Sequence, residues 1–257
     1  MSYIAKYRVL YLSFFMAAAG SIYLAIANGM GWWLAASVLQ GYLLAFLGTS
    51  IVLHRYFTHS SFKTGPIRHK LFLLISVLNG QGSPVSWSSL HLYHHQHSDT
   101  ELDVHGPKLG FLNSVFLWGL FLRKKEQSYT YPLPKHLIRQ RDTMWIHRNY
   151  FNVWAALVII VGLLSWQCLI FFVLAPAAFS IIKANTVSNY LSHVGSVPGS
   201  YKNYDTKDSS YNNKFLQYMF GEGLHNNHHK YMSDFNQAKM PGEHDPAAWL
   251  IEKLFKV

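Results

Sequence analysis

The sequence predicts an all-α membrane protein: four transmembrane helices carrying a helical cap on one side of the bilayer. Three observations predict it. Half of the 257 residues are hydrophobic and only 13% are charged, about half the charged share usual in a soluble domain. Four long apolar stretches occur as two close pairs, separated by a polar central segment. Nearly every Lys and Arg lies outside those stretches and on one side of the topology they imply, which is the positive-inside pattern. The net charge of +10 does not read as nucleic-acid binding, because the basic residues flank apolar runs and form no separate basic domain.

The elements follow in order. The first span runs from about residue 9 to 27 and is uncharged, about long enough for a ~30 Å hydrocarbon core. A second span follows at once, which argues against a signal peptide. That span covers about 32–53, and only Asn28-Gly-Met-Gly31 separates the two, so they form an antiparallel hairpin. Gly41, Ala45 and Gly48 recur along one face of it, as close helix contacts or a tunnel floor require. The central segment 54–150 holds two shorter apolar pieces, Leu71–Leu78 and Leu109–Leu122, expected to be interfacial or re-entrant helices or part of the cap. Arg123-Lys124-Lys125 is expected near anionic headgroups, and Tyr131-Pro-Leu-Pro134 marks a turn. The third and fourth spans cover about 152–166 and 167–191, with Ser165-Trp166 as the turn. The alternative is one helix from Asn152 to Ala175 with the turn at Pro176. The tail from 193 to 257 completes the cap, with 196–214 as a loop, and the whole chain reads as one domain. Lys183 excepted, the Lys and Arg residues lie in the amino-terminal tail, 54–150 and the tail after 193, so both termini and the cap are expected to be cytoplasmic.

Histidine carries the chemistry. His54-Arg-Tyr-Phe-Thr-His59 ends the second span, His91-Leu-Tyr-His94-His95 lies in the central segment, and Gly221-Glu222-Gly-Leu-His225-Asn-Asn-His228-His229 lies in the tail. Residues at i, i+3 and i+4 share one helix face, so each H-x-x-H-H run presents three imidazoles together. The only cysteine, Cys168, lies in an apolar run, so a metal here must rest on nitrogen and oxygen ligands. One zinc needs about four ligands, and eight histidines suit two metals. Nothing resembles H-E-x-x-H. A dinuclear iron site activates oxygen and attacks unactivated carbon, which no side chain does. Its place at a membrane surface makes an acyl chain the natural substrate.

The three boxes, in that order and between paired spans, resemble those of the integral-membrane fatty acid desaturases, most closely the Δ9 acyl-CoA (stearoyl-CoA-type) enzymes and their bacterial relatives. The similarity runs from about residue 32 to Trp249. It implies a histidine-ligated di-iron centre, O2 as co-substrate, and insertion of a cis double bond into a saturated acyl chain, with acyl-CoA as the expected carrier. It also implies that Asn189-Tyr-Leu-Ser-His193 supplies a ninth histidine and an asparagine that acts through water. The implied metal set is His54, His59, His91, His94, His95, His193, His225, His228 and His229, with Asn189 through water. His97 and His105 match non-ligand positions, and His105 is expected to support the site or line the substrate path. His69, His136, His147 and His244 have no motif around them. Two positions depart from the family pattern, Leu92 in place of arginine and Leu224 in place of an aromatic residue; they leave chain length and double-bond position open.

Metal-bound imidazoles usually donate their other N–H to a carboxylate or carbonyl, and Asp99, Glu101, Asp103 and Glu222 are near enough in sequence to accept it. Glu222, three residues before His225, is alternatively a direct ligand, as in soluble di-iron bundles. The chain shows no cysteine cluster and no G-x-G-x-x-G fingerprint, so electrons must come from a separate donor, a ferredoxin or a small haem protein with its reductase. Membrane lipid is the remaining partner. Two competing functions stay open. One is a hydroxylase with the same histidine boxes. The other is a metal-binding or transport protein, disfavoured because 9–27 and 32–53 hold no ionisable side chain apart from tyrosine.

Overall fold

The computed structural model describes residues 2–120, 131–219 and 222–257. The basic triplet 123–125, Leu122 and Gly221 lie outside the described residues. Among the described residues four helices are long and apolar enough to cross a membrane: Tyr3–Ala27, Gly31–Thr58, Arg141–Leu164 and Trp166–His193. At ~1.5 Å per residue, the two of 28 residues outrun a ~30 Å core by several residues. Those surplus ends carry His54 and His193.

Two boundaries differ from the sequence reading, and of the two turns it left open between the last spans one is found. The first span begins at Tyr3, where the Ser2 hydroxyl accepts the Ala5 N–H at 3.3 Å; Lys6 and Arg8 ride on its first turns, long stems letting them reach the headgroups. The third span begins at Arg141 rather than at 152. Arg141, Asp142, His147, Arg148 and Asn149 hide its start from a hydropathy reading. The turn between the last two spans is at Ser165, whose backbone is extended (φ −164°, ψ 115°) and whose hydroxyl accepts the Cys168 N–H at 3.2 Å. The alternative turn at Pro176 is thereby excluded. The fourth span passes through that proline, which has no N–H to give the Phe172 carbonyl. The Gln40 amide from the second span donates to that carbonyl instead, at 3.0 Å, as low-dielectric surroundings require.

The second and fourth spans pack where glycine removes the side chain. A Cβ at Gly41 would stand 2.5 Å from Phe179 Cβ and 2.8 Å from the Pro176 carbonyl, and one at Gly48 would stand 2.9 Å from Asn79 Cγ. Both positions therefore serve close packing. Gly41→Leu is expected to lower stability by about 1–3 kcal/mol or more through overpacking; an unchanged thermal midpoint in detergent would contradict this.

One apolar core joins the first, third and fourth spans through Phe14, Tyr150, Trp154, Ala177 and Ile181. A second joins the end of the second span to the cap through Ile51, Phe57, Phe72, Leu137 and Ile251. Outward-facing Ile159, Ile160 and Leu163 stay exposed, as a lipid-facing surface demands. The Leu71–Leu78 piece forms helix Pro66–Leu78; it and the next helix, Pro84–His97, both pack on the end of the second span. Their connection dips among the spans. Gly80 (φ +76°) has Ala177 of the fourth span and Phe14 of the first so close that a Cβ would meet them at 2.8 Å. The polar groups of this tip are satisfied by the protein, as they must be at that depth. Asn79 and Gln81 both donate to Thr49 Oγ1, at 3.0 and 2.7 Å, and the Asn79 amide oxygen accepts from Ser180.

The one departure from an all-helical chain among the described residues is a two-stranded antiparallel ribbon, β1 (Ser200–Tyr201) with β2 (Asn212–Asn213), in register Ser200↔Asn213 and Tyr201↔Asn212. Asn212 also bridges to Leu224, which sets the start of the third-box helix His225–Lys230.

Candidate metal centre

Each box is presented by a different local device. The second span changes to i→i+5 hydrogen bonding from Ala45 to Thr58, and the His59 N–H closes on the His54 carbonyl at 3.1 Å. That pitch stacks residues five apart, so His54 and His59 turn to the same side (ring centroids 4.9 Å apart). Wide turns of this kind recur at functional sites. The middle box occupies the last turns of helix Pro84–His97, which begins on a Ser83 cap and a proline. The fourth span also widens, from Asn185 to Tyr190, then tightens over Leu191–His193, turning His193 inward.

The rings meet as two groups. His54, His59, His91, His95 and His228 bring one nitrogen each within 4.8 Å of one another, and His94, His193, His225 and His229 form a second such group. Within the first, the Nε2···Nε2 distances are 2.9 Å for His54–His228, 3.2 Å for His91–His59 and 3.0 Å for His91–His95 and His95–His228. Within the second, His225 stands 3.0 Å from both His193 and His229. Two imidazole nitrogens bound at right angles to a metal at ~2.1 Å lie about 3.0 Å apart. His193 and His229 each turn the outer N–H to an aspartate, so both present a lone pair to His225, which has at most one proton to give. The donor set therefore fits two metal ions.

Protonation supports the same reading. Burial, then the neighbouring imidazoles, holds His91, His95, His225 and His228 well below the ordinary histidine range. His59 is lowered to about 3, by burial and then by His229 and Arg55. His229 is lowered to about 4, burial outweighing its bond to Asp208. His94 alone among them moves up: burial pulls it down, but the charge and hydrogen bond of Asp103 prevail. The lowered residues stay neutral in the folded protein, whereas their unfolded counterparts take up protons below about pH 6.5. The unfolded state then binds more protons, so stability falls as the pH falls. Metal-free protein is expected to lose stability progressively from about pH 6.5 toward pH 4; urea midpoints that hold level or rise over that range would contradict this.

Two of the four carboxylates named from the sequence reach a box histidine. The Asp103 carboxylate accepts His94 Nδ1–H at 3.0 Å and also the backbone N–H groups of Asp99 and His105. Asp99, at φ +59°, accepts His193 Nδ1–H at 3.1 Å. Glu222 is buried; its carboxylate accepts from Ser50 and from Ser188 (2.6 Å) and lies 3.9 Å from His54 Nδ1. It thus stands behind His54, outside the converging nitrogens. Glu101 does not take the supporting place read for it: its carboxylate is 92% exposed and pairs with Lys108 at 3.9 Å. The turn at 98–103 points it to solvent, since Asp99 and Asp103 fill the inward positions.

Asp208, which sequence reasoning missed, accepts His229 Nδ1–H at 2.7 Å. It lies in the polar loop 196–214, and no spacing ties it to a box. The two asparagines between the third-box histidines anchor that surrounding. Asn226 accepts the N–H groups of Asn203 and Tyr204 at 2.9 Å, holding the loop that leads to Asp208, and Asn227 donates to Glu243 at 2.8 Å. Arg55 of the first box is likewise buried. It pairs with Asp245 at 2.9 Å and donates to the Phe235 carbonyl at 3.0 Å, fastening the box to the carboxyl-terminal segment.

A cavity borders both nitrogen groups. Its walls include Thr49, Gln81, Trp87, Leu90, Trp118 and Asn189, with His91, His94, His105 and His225 at the metal side. Trp87 stacks on His91 (4.7 Å, 16°) and donates Nε1–H to Gln81 at 3.1 Å. Asn189 Nδ2 donates to Asn185 at 3.2 Å. His105 packs on His94 and Trp118. The remaining histidines stand apart: His97 lies on Tyr93, His69 bonds Tyr56 and Asp142, His136 bonds the Phe57 carbonyl, His147 bonds Ser83, and His244 stacks on Tyr218.

Four spans, a cap set against their ends and two convergent imidazole groups beside one cavity define a helical membrane protein whose histidine clusters could hold metal. The family follows from comparison with known proteins. A model of the fatty acid desaturase family matches residues 30–249, and the chain belongs to that family, oxidoreductases acting on fatty acyl chains. It is similar to the Delta-9 acyl-lipid desaturase 2 of Arabidopsis thaliana, 27% identical over 84% of this chain and 69% of the relative. It also resembles the acyl-CoA 5-desaturase AL21 of Anemone leveillei, 34% identical over 72% of this chain and 57% of the relative. The sn-1 stearoyl-lipid 9-desaturase of Anabaena variabilis is 26% identical over 93% of this chain and 86% of its own length. The resemblance carried by the boxes is thus borne out at the level of the family.

Proposed function

We propose that this protein is an O2-dependent desaturase that inserts a cis double bond at Δ9 of a saturated acyl chain carried by coenzyme A. The observation that carries the reading is the convergence of five and four histidine nitrogens in two groups that both border one cavity. The similar proteins include both Δ9 and Δ5 desaturases, on lipid and on coenzyme A, so the carrier and position are this proposal's own. The nine box histidines would hold two irons, with Asn189 acting through water. Bound there, two irons would supply the redox chemistry by which O2 and two external electrons, with two protons, go to water as two vicinal hydrogens leave the chain.

The chain's residues supply the rest. Trp87 and Trp118 give the acyl chain apolar walls, and the Trp87–Gln81–Thr49 hydrogen bonds hold that wall against the second span. Asp99, Asp103 and Asp208 fix ring tautomers, so the Nε2 lone pairs point inward. The electron donor is a separate ferredoxin or small haem protein with its reductase. The basic residues outside the spans favour a cytoplasmic site and cytoplasmic termini.

Expression in a desaturase-deficient host, followed by mass spectrometry that locates the new double bond, tests the reading. A Δ9 cis product from acyl-CoA is expected. Hydroxy acids without a new double bond would overturn it in favour of a hydroxylase, and a bond at another position would overturn the Δ9 assignment.

A further inference from the structure

The two nitrogen groups differ in a way their ligand numbers conceal. In the four-histidine group, three of the four rings donate their outer N–H to an aspartate: His94 to Asp103 at 3.0 Å, His193 to Asp99 at 3.1 Å and His229 to Asp208 at 2.7 Å. In the five-histidine group no described carboxylate lies within hydrogen-bonding reach of an outer nitrogen. The nearest is Glu222, 3.9 Å from His54 Nδ1. The outer nitrogens of His54 and His228 are buried without a partner among the described residues.

The aspartates are themselves held for this task. Ser209 N–H donates to Asp99 Oδ2 at 2.7 Å, and Ser210 N–H donates to Asp208 Oδ1 at 3.0 Å. The loop that brings Asp208 to His229 is thus tied to the turn that brings Asp99 to His193. Asp103 binds the backbone on both sides of itself. Three carboxylates with fixed geometry make three ligands more basic and place three negative charges around one metal. The other metal meets more imidazoles but no such charge.

We propose that the two metal positions are unequal by construction: the four-histidine position, backed by Asp99, Asp103 and Asp208, is the tight one that fills first, and the five-histidine position is the labile one. This rests on the di-metal reading above. Asp99, Asp103 and Asp208 are positioning residues, acting through His193, His94 and His229. A carboxylate partner of a metal-bound histidine is commonly worth 10–100-fold in metal affinity, and here three act on one ion.

The test is a metal titration. Full-length protein is stripped with chelator, returned to lipid nanodiscs and titrated with Co(II) alone against a competing chelator. Structures at half an equivalent per site pair then show which position is filled. Two affinity classes separated by at least about tenfold are expected, with the first equivalent at His94, His193, His225 and His229. Asp208→Asn should weaken the tight class by about 10–100-fold and leave the weak class unmoved. Asparagine keeps an oxygen for the Ser210 N–H, so the loop is retained. Equal affinities, first filling at the five-histidine position, or an Asp208→Asn protein with an unchanged tight class would each overturn the inference while leaving two metals in place. Failure to bind more than one Co(II) would overturn the di-metal reading with it.

Discussion

Replacing His225 by alanine is expected to abolish desaturation and to drop the iron retained after dialysis from two per chain to one. His225 stands at the centre of the four-histidine group, 3.0 Å from both His193 and His229, and it is 3% exposed. No water can restore a ring nitrogen in so closed a place without a matching loss of ligand strength. Losing several kcal/mol of metal chemistry corresponds to at least a hundredfold fall in turnover, about tenfold for each 1.4 kcal/mol. His97→Ala is the matched control. His97 follows the middle box by two residues and its ring packs on Tyr93, so both metals and activity should persist. Metal analysis beside product formation reads both variants. A His225→Ala protein with two tightly held irons would remove it from the ligand set.

The second large effect concerns the fold that carries the boxes. Arg55 is 1% exposed and its guanidinium meets Asp245 at 2.9 Å, the Ser50 carbonyl at 3.1 Å and the Phe235 carbonyl at 3.0 Å. Glu222 is 3.7 Å away. Arg55→Met would leave Asp245 buried without its counter-charge, a change that costs about 3–5 kcal/mol. Asp245 also accepts the Gln237 N–H and caps the helix at Pro246, so the carboxyl-terminal segment should loosen first. Thermal unfolding in detergent should show a large fall in midpoint, and Arg55→Met combined with Asp245→Asn should recover part of it, since the uncompensated charge is gone. Equal midpoints for wild type and Arg55→Met would contradict this placement.

The legible and illegible parts of the molecule divide along physical lines. Repeating spacings were legible. H-x-x-H-H marks a helix face because the period of the helix is fixed, and the apolar runs mark spans because bilayer thickness is fixed. Where chemistry and hydropathy conflict, the sequence misleads: the start of the third span at Arg141 is hidden by the polar residues that a membrane-surface helix end tolerates. The Ser165 turn was read correctly because serine there ends one helix and caps the next. Supporting carboxylates were legible only when close in sequence. Asp99 and Asp103 follow the middle box directly. Asp208 reaches His229 through a loop whose path is set by Asn226 and a two-residue ribbon, and no local pattern announces that path. Glu101 shows the converse. Nearness in sequence suggested a supporting role, but a tight turn sends alternate side chains in opposite directions. The first box hid a further feature: two histidines five apart would diverge on an ordinary helix, and only the widened turns from Ala45 to Thr58 bring them together.

The iron stoichiometry of the purified, lipid-reconstituted protein, loaded anaerobically with Fe(II) and freed of loose metal, bears most directly on the central claim that nine histidines hold a metal pair. Two irons per chain are predicted, falling to one in His225→Ala. One bound zinc with no retained iron, or a single iron indifferent to that substitution, would contradict it.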